Sequence, residues 1–118
     1  MTLASKFQLK PRQEVESVLV PESVEPGLTE LTLVEGGQQG GAVLVFVVDR
    51  STLEEHRTQI VEAASADRLT WESYPKSGQL ATDLNHDSLA ALTTESGIRP
   101  VRQIAVDGIW SALRFRPG

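Results

Sequence analysis

Polar and apolar positions alternate from Glu14 to Val20, with Glu16, Val18 and Val20 on one side and Val15, Ser17 and Leu19 on the other. A period of two predicts a strand, because successive side chains of an extended chain leave opposite faces. A second strand is predicted over Thr29 to Val34, after a turn region, Pro21 to Leu28, with two prolines and Gly27. Eight residues are too few for a helical crossover. The pair is therefore either antiparallel or joined by an extended loop, and the pattern leaves both open.

From Ala42 to Val48 the alternation disappears: Ala-Val-Leu-Val-Phe-Val-Val is apolar throughout. Such a run, rich in β-branched residues, predicts a central strand covered on both faces by helices. Leu53, Ile60, Val61 and Ala64 then recur at helical spacing. Ser51 and Glu54 form a capping box, so the helix is expected over Thr52 to Ser65. Leu69 to Tyr74 is the next strand, set parallel to 42–48 by the helical crossover. Leu84, Leu89 and Leu92 line a second helix, about Asn85 to Ser96, with Asp83 or Asn85 as N-cap and Gly97 as its left-handed stop. Asp107-Gly108, between Pro100 to Val106 and Ile109 to Phe115, predicts a two-residue type I′ hairpin. In that register Val106 faces Ile109, Ile104 faces Ser111, and Arg99 faces Arg116. Two facing arginines repel unless an acid or a bound anion lies between them.

With 118 residues there is room for one core. Residues 1–13 are expected to be a short tail or one-turn helix tied down by Phe7, and 14–118 a single α/β domain. Cysteine is absent, which removes disulfides, thiolate nucleophiles and cysteine zinc sites. The absence of an apolar run of transmembrane length and of a signal-peptide pattern predicts a cytoplasmic protein with no membrane contact. The net charge of -5 argues against nucleic acid as a partner. Charge is unevenly placed: residues 13–98 hold 15 acids against 4 bases, whereas 99–118 hold four arginines against Asp107.

Ligands of parallel sheets bind beyond the carboxyl ends of the strands. Candidate ligand residues there are Asp49, then Lys76 with the amides of Ser77 and Gly78, and Thr82, Asp83 and Asn85 at the start of the second helix, which together could hold a phosphate or carboxylate. The plainer reading makes Lys76 a solvated lysine and 82–85 a helix cap. Other chemistries fall away on spacing. Asp83-Leu-Asn85-His-Asp87 begins like a calcium loop, but Ser88 and Thr94 stand where glycine and glutamate are required. His86 has Ala90 at i+4 and His56 has Ile60, so neither forms a helical metal pair. The glycines of 35–41 lead into a strand instead of a helix, unlike a dinucleotide loop. No G-x-S-x-G elbow exists. Trp71 and Trp110 are assigned to the core, and no catalytic residue, metal or cofactor is expected.

The element order resembles the C-terminal half of a Rossmann-like methyltransferase sheet, which ends in such a hairpin. More narrowly, Trp71, Tyr74, Pro75 and Lys76, the run Thr82-Asp83-Leu84-Asn85 with Asp87, and Arg99-Pro-Val-Arg102-Gln103 through Ala105, Val106, Asp107 and Trp110 to Phe115 resemble a short bacterial family of uncharacterised domains. The resemblance implies a truncated methyltransferase-like fold and carries over no catalytic residue. It also implies a small mixed sheet of about six strands, with helices at 52–65 and 85–96 and an antiparallel hairpin 99–106/109–116. Active methyl transfer is disfavoured, because Pro21 to Gly27 replaces the glycine-rich turn that holds the cofactor in such enzymes. The functional expectation is a noncatalytic binding module, acting on a protein partner or on its own copy. The alternative is a small-anion or nucleotide binder, or a weak enzyme, using the Lys76 to Asn85 loop, with a pocket between the ends of strands 42–48 and 69–74.

Overall fold

A computed structural model describes residues 3–9, 14–22, 24–28, 32–34, 42–76, 79, 80, 82–84 and 86–118. The elements run α1 (Leu3–Lys6), β1 (Glu14–Val18), a 3-10 turn (Glu25–Leu28), β2 (Thr32–Val34), β3 (Ala42–Phe46), α2 (Arg50–Ser65), β4 (Leu69–Pro75), α3 (His86–Thr94), β5 (Ile98–Ala105) and β6 (Trp110–Pro117). The strands form one six-stranded sheet in the order β2-β1-β3-β4-β6-β5. The first four are parallel, and β6 runs antiparallel to both β4 and β5. This is the expected Rossmann-like mixed sheet with a closing hairpin.

Strand β3 lies inside the sheet between β1 and β4, and all five of its residues are buried. Its alternate residues feed two different cores, which is why its sequence shows no alternation. Val43 and Val45 pack under Leu53, Ile60, Ala63 and Ala64 of α2, together with Leu89 of α3 and Leu113 and Phe115 of β6. Ala42, Leu44 and Phe46 face the other way, toward Phe7, Leu9, Val24 and Leu28. Helices were expected on both faces, but the second face is closed by the α1 segment and the 3-10 turn. That thin cover is held by an edge-on ring contact, Phe7 to Trp71 at 5.4 Å, and by the Trp71 indole N–H donating to the Phe7 carbonyl at 2.9 Å. Gly27 permits the turn to sit on α1, since a Cβ there would meet Leu3 at 2.9 Å.

The open question about the first two strands is answered as parallel: Glu14 pairs with Thr32 and Glu16 with Val34. The described part of β2 is Thr32–Val34; the expected start at 29–31 lies outside the described residues. Among the described residues, the crossover between the two strands holds a 3-10 turn, Glu25–Leu28.

Helix α2 starts earlier than the capping box implies. Asp49 is the N-cap, with its side chain accepting from the Thr52 amide, so Ser51 lies inside the first turn. An aspartate caps as well as a serine does, and here it stands one turn before the first buried residue, Leu53. The second helix ends near its predicted stop: Gly97 has φ +87 and follows α3 closely.

The hairpin is present, but its turn is not type I′. That turn needs positive φ at both central residues, and neither Asp107 nor Gly108 has it. Asp107 instead accepts the amides of both Ile109 and Trp110 at 2.8 Å, which widens the loop. Pairing then begins with Ala105 opposite Ser111, one residue out of the predicted register. A β-bulge between Pro100 and Arg102 absorbs the slip, so Arg99 does face Arg116. The acid that this pair requires is Asp67, whose carboxylate lies 3.2 Å from Arg116.

Candidate functional site

The carboxyl ends of the parallel strands all lie on one edge of the sheet. Between β1 and β3 the order of connection reverses, because β1 leads outward to β2 while β3 leads inward to β4. A crevice at that switch point is where doubly wound sheets place ligands. Here it has a volume of about 410 Å³ and is lined by Leu19, Pro21, Phe46, Val48, Thr52, Leu80 and Trp110.

Local chain geometry brings these residues together. Leu19 and Pro21 follow closely on β1, Phe46 ends β3 with Val48 two residues beyond it, and Thr52 sits in the first turn of α2. Leu80 comes over from the loop after β4, and Trp110 opens β6 opposite Pro75. Phe46 and Trp110 meet edge to face at 5.5 Å and form the floor. Leu19, Val48 and Leu80 are 58%, 40% and 54% exposed, three of the four large apolar side chains left to solvent among the described residues. Leu19 and Leu80 also hold left-handed backbone, with φ of 59 and 51. Side chains with a Cβ rarely adopt that region, and such residues gather at binding sites.

The anticipated site residues are distributed around this crevice. Asp49 follows Val48 on the rim, and its carboxylate accepts both the amide and the hydroxyl of Thr52 at 2.8 Å. Those two bonds hold its pKa below the ordinary carboxylate value. Asp83, expected to cap α3, accepts the Arg50 amide at 2.8 Å and so serves the amino end of α2. Asp49 and Asp83 are thus brought to the same helix terminus. The Thr82 hydroxyl accepts from the Leu84 amide and only shapes the loop. Lys76 is half-buried, and its amide donates to the Ile109 carbonyl at 2.7 Å, tying the loop to the hairpin. Ser77, Gly78 and Asn85 lie outside the described residues. The crevice itself opens between β1 and β3, one strand over from the place expected for a pocket.

Sequence reasoning missed the apolar lining. Its signals were faint: Leu80 is one of two large apolar residues, with Leu84, in an otherwise polar loop, and Leu19 stands close before a proline at the end of a strand. It also missed Glu72, on β4, away from the crevice. This carboxyl is fully buried, both of its oxygens lack hydrogen-bond partners among the described residues, and burial pushes its pKa up to about 8. The neighbouring Tyr74 phenol is also shifted upward, chiefly by burial, while Gln103 donates to its oxygen at 3.2 Å. No group of three or more histidine, cysteine or acidic side chains suited to a metal ion occurs among the described residues.

No family model matches the chain, and no curated protein matches it. Solved structures do. "The structure of LepI complex with SAM" superposes with a TM-score of 0.56 at 12% identity, covering 98% of this chain and 39% of that one. "A Pericyclic Reaction enzyme" superposes at 0.52, again with 12% identity and the same coverage. This chain therefore spans about two fifths of the length of either neighbour. At such identity the likeness shows the fold: a small α/β domain of the kind found in these larger structures.

Proposed function

We propose that this domain is a noncatalytic, methyltransferase-like α/β module that works by binding, with the crevice beyond β1 and β3 as its contact site. The observation that carries this reading is the convergence of Leu19, Val48 and Leu80, otherwise unexplained exposed apolar side chains, on one concavity at the switch point. Exposed apolar surface is retained where a partner covers it. Noncatalytic action is supported by the lining, in which, among the described residues, no acid or base faces the cavity and the polar groups are the Thr52 hydroxyl and the Trp110 indole N–H. The turn after β1, where the methyltransferase resemblance calls for glycines, carries Leu19 and Pro21.

An anion at the amino end of α2 is disfavoured for a separate reason. The amides of Arg50 and Thr52 already donate to Asp83 and Asp49, so an incoming phosphate would meet two carboxylates in place of free donors. S-adenosylmethionine, named with one structural neighbour, is the decisive competitor. Thermal shift with S-adenosylmethionine, inorganic phosphate and the neutral dye Nile red tests the reading. The expected result is no shift with the first two and bright dye fluorescence that Val48→Asp removes. A rise of several degrees with S-adenosylmethionine, together with a dark dye, would replace the binding module with a cofactor-dependent enzyme.

A further inference from the structure

We propose that the occupant of this crevice is an uncharged, largely apolar small molecule, an inference that rests on the binding reading above. A volume of about 410 Å³ falls in the range of roughly 300–1,000 Å³ typical of small-molecule sites. Among the described lining residues, Leu19, Pro21, Phe46, Val48 and Leu80 offer only apolar or aromatic surface, Trp110 adds a ring with one N–H, and Thr52 uses its hydroxyl proton to bond Asp49. A charged group drawn inside would lose its hydration without gaining an opposite charge from these residues. The rim does not favour either sign of charge: Asp49 and Asp83 are balanced by Arg50 and Lys76, which belong to the same two segments. One oxygen on Thr52 remains able to accept a single hydrogen bond, which suits a hydroxyl or amide N–H on an otherwise apolar ligand.

The lips of the crevice point the same way. Four non-glycine residues have left-handed backbone among the described residues: Gln8, Leu19, Asp67 and Leu80. Gln8 and Asp67 terminate α1 and α2, where such a conformation closes a helix. Leu19 and Leu80 terminate no helix. Each has a bulky side chain in a backbone conformation that glycine would adopt freely, and each exposes more than half of that side chain. Folding alone gains little from either leucine, whereas an apolar ligand between them would cover both.

Three probes with one apolar body and different heads test this: 4-phenyl-1-butanol, 4-phenylbutanoate and 4-phenylbutylammonium, titrated at pH 7 and followed through tryptophan fluorescence, with Trp110→Phe as the control for the reporter. The alcohol is expected to bind at least about tenfold more tightly than either ion. Leu19→Gly and Leu80→Gly should each weaken it severalfold while leaving the melting temperature unchanged or higher, since glycine relieves the backbone. If an ion binds as well as the alcohol, the chemistry proposed for the ligand is wrong but the crevice still binds. If no probe alters the Trp110 signal, the crevice reading falls as well. A fall in melting temperature in both glycine variants would make the two leucines structural and overturn the argument from the lips.

Discussion

Glu72 is the residue most at odds with its surroundings. It pairs from β4 with Val45 and Leu113, and α2 and α3 close the layer above, so its carboxyl is shut off from solvent and, among the described residues, has no partner to stabilise charge. Burial therefore raises its pKa from 4.5 to about 8. The linkage follows in sign. Below pH 4.5 the group is protonated folded or unfolded and costs no ionisation. Between 4.5 and about 8 the unfolded chain gives up the proton while the folded chain keeps it, so stability falls by up to about 1.4 kcal/mol per pH unit. Above that window the loss is complete and the curve levels. Urea unfolding across pH 4 to 9 is expected to show this decline, and Glu72→Leu, of similar volume, should remove it and raise the melting temperature at pH 8 by at least about 5 °C. A wild-type curve that is flat or rises with pH would mean the carboxyl has found a partner. Nothing in the sequence flagged the residue: one glutamate within the strand Leu69 to Tyr74 carries no local sign of burial, and only the placement of β6 beside β4 beneath the helix layer encloses it.

At the scale of elements, the hairpin shows how local chemistry and sheet pairing compete. Asp107-Gly108 correctly marked the turn, but the aspartate side chain caps the following amides, a local bond that sequence pattern alone does not rank against a type I′ turn. The slip this causes is taken up where β5 is an edge strand and a bulge costs little. Val101 is the residue that the bulge leaves without a partner, and it is 40% exposed. Its deletion is expected to keep every other pair, Pro100 with Phe115 and Arg102 with Arg114, and to flatten the edge. Edges without bulges join other edges, so the deletion variant should stay folded by circular dichroism and show a concentration-dependent rise in mass by sedimentation. An unfolded variant would show that the bulge sets the register instead of correcting it. Helix α2 was legible in its length and its buried stripe, because both depend on spacing along the chain. Its cap moved by two residues, from Ser51 to Asp49, because either side chain can accept a first-turn amide and spacing along the chain does not choose between them.

For the whole molecule, the consequence of a one-sided helix layer is that the other face depends on a few N-terminal side chains. Phe7 is fully buried and covers Trp71, while Ala4 and Leu9 flank it. Phe7→Ala is expected to cost about 3–5 kcal/mol, read as a drop in the urea midpoint, with Trp71 fluorescence shifting to the red as its indole loses the covering ring and meets water. A change below about 1 kcal/mol would show that the α1 segment is an appendage and not a layer of the fold.

What the chain determined by itself is whatever depends on spacing: the buried central strand, the two helices, the closing hairpin and the absence of thiol chemistry, all set by periodicity or composition over a few consecutive residues. The tertiary structure alone decided the parallel pairing of β1 and β2, the burial of Glu72, and the meeting of Leu19, Val48, Leu80 and Trp110 around one crevice. Those four residues are separated by up to 91 positions along the chain, and no local pattern links them. Their proximity comes from strand order, which is fixed by the summed burial of both sheet faces and not by any one segment.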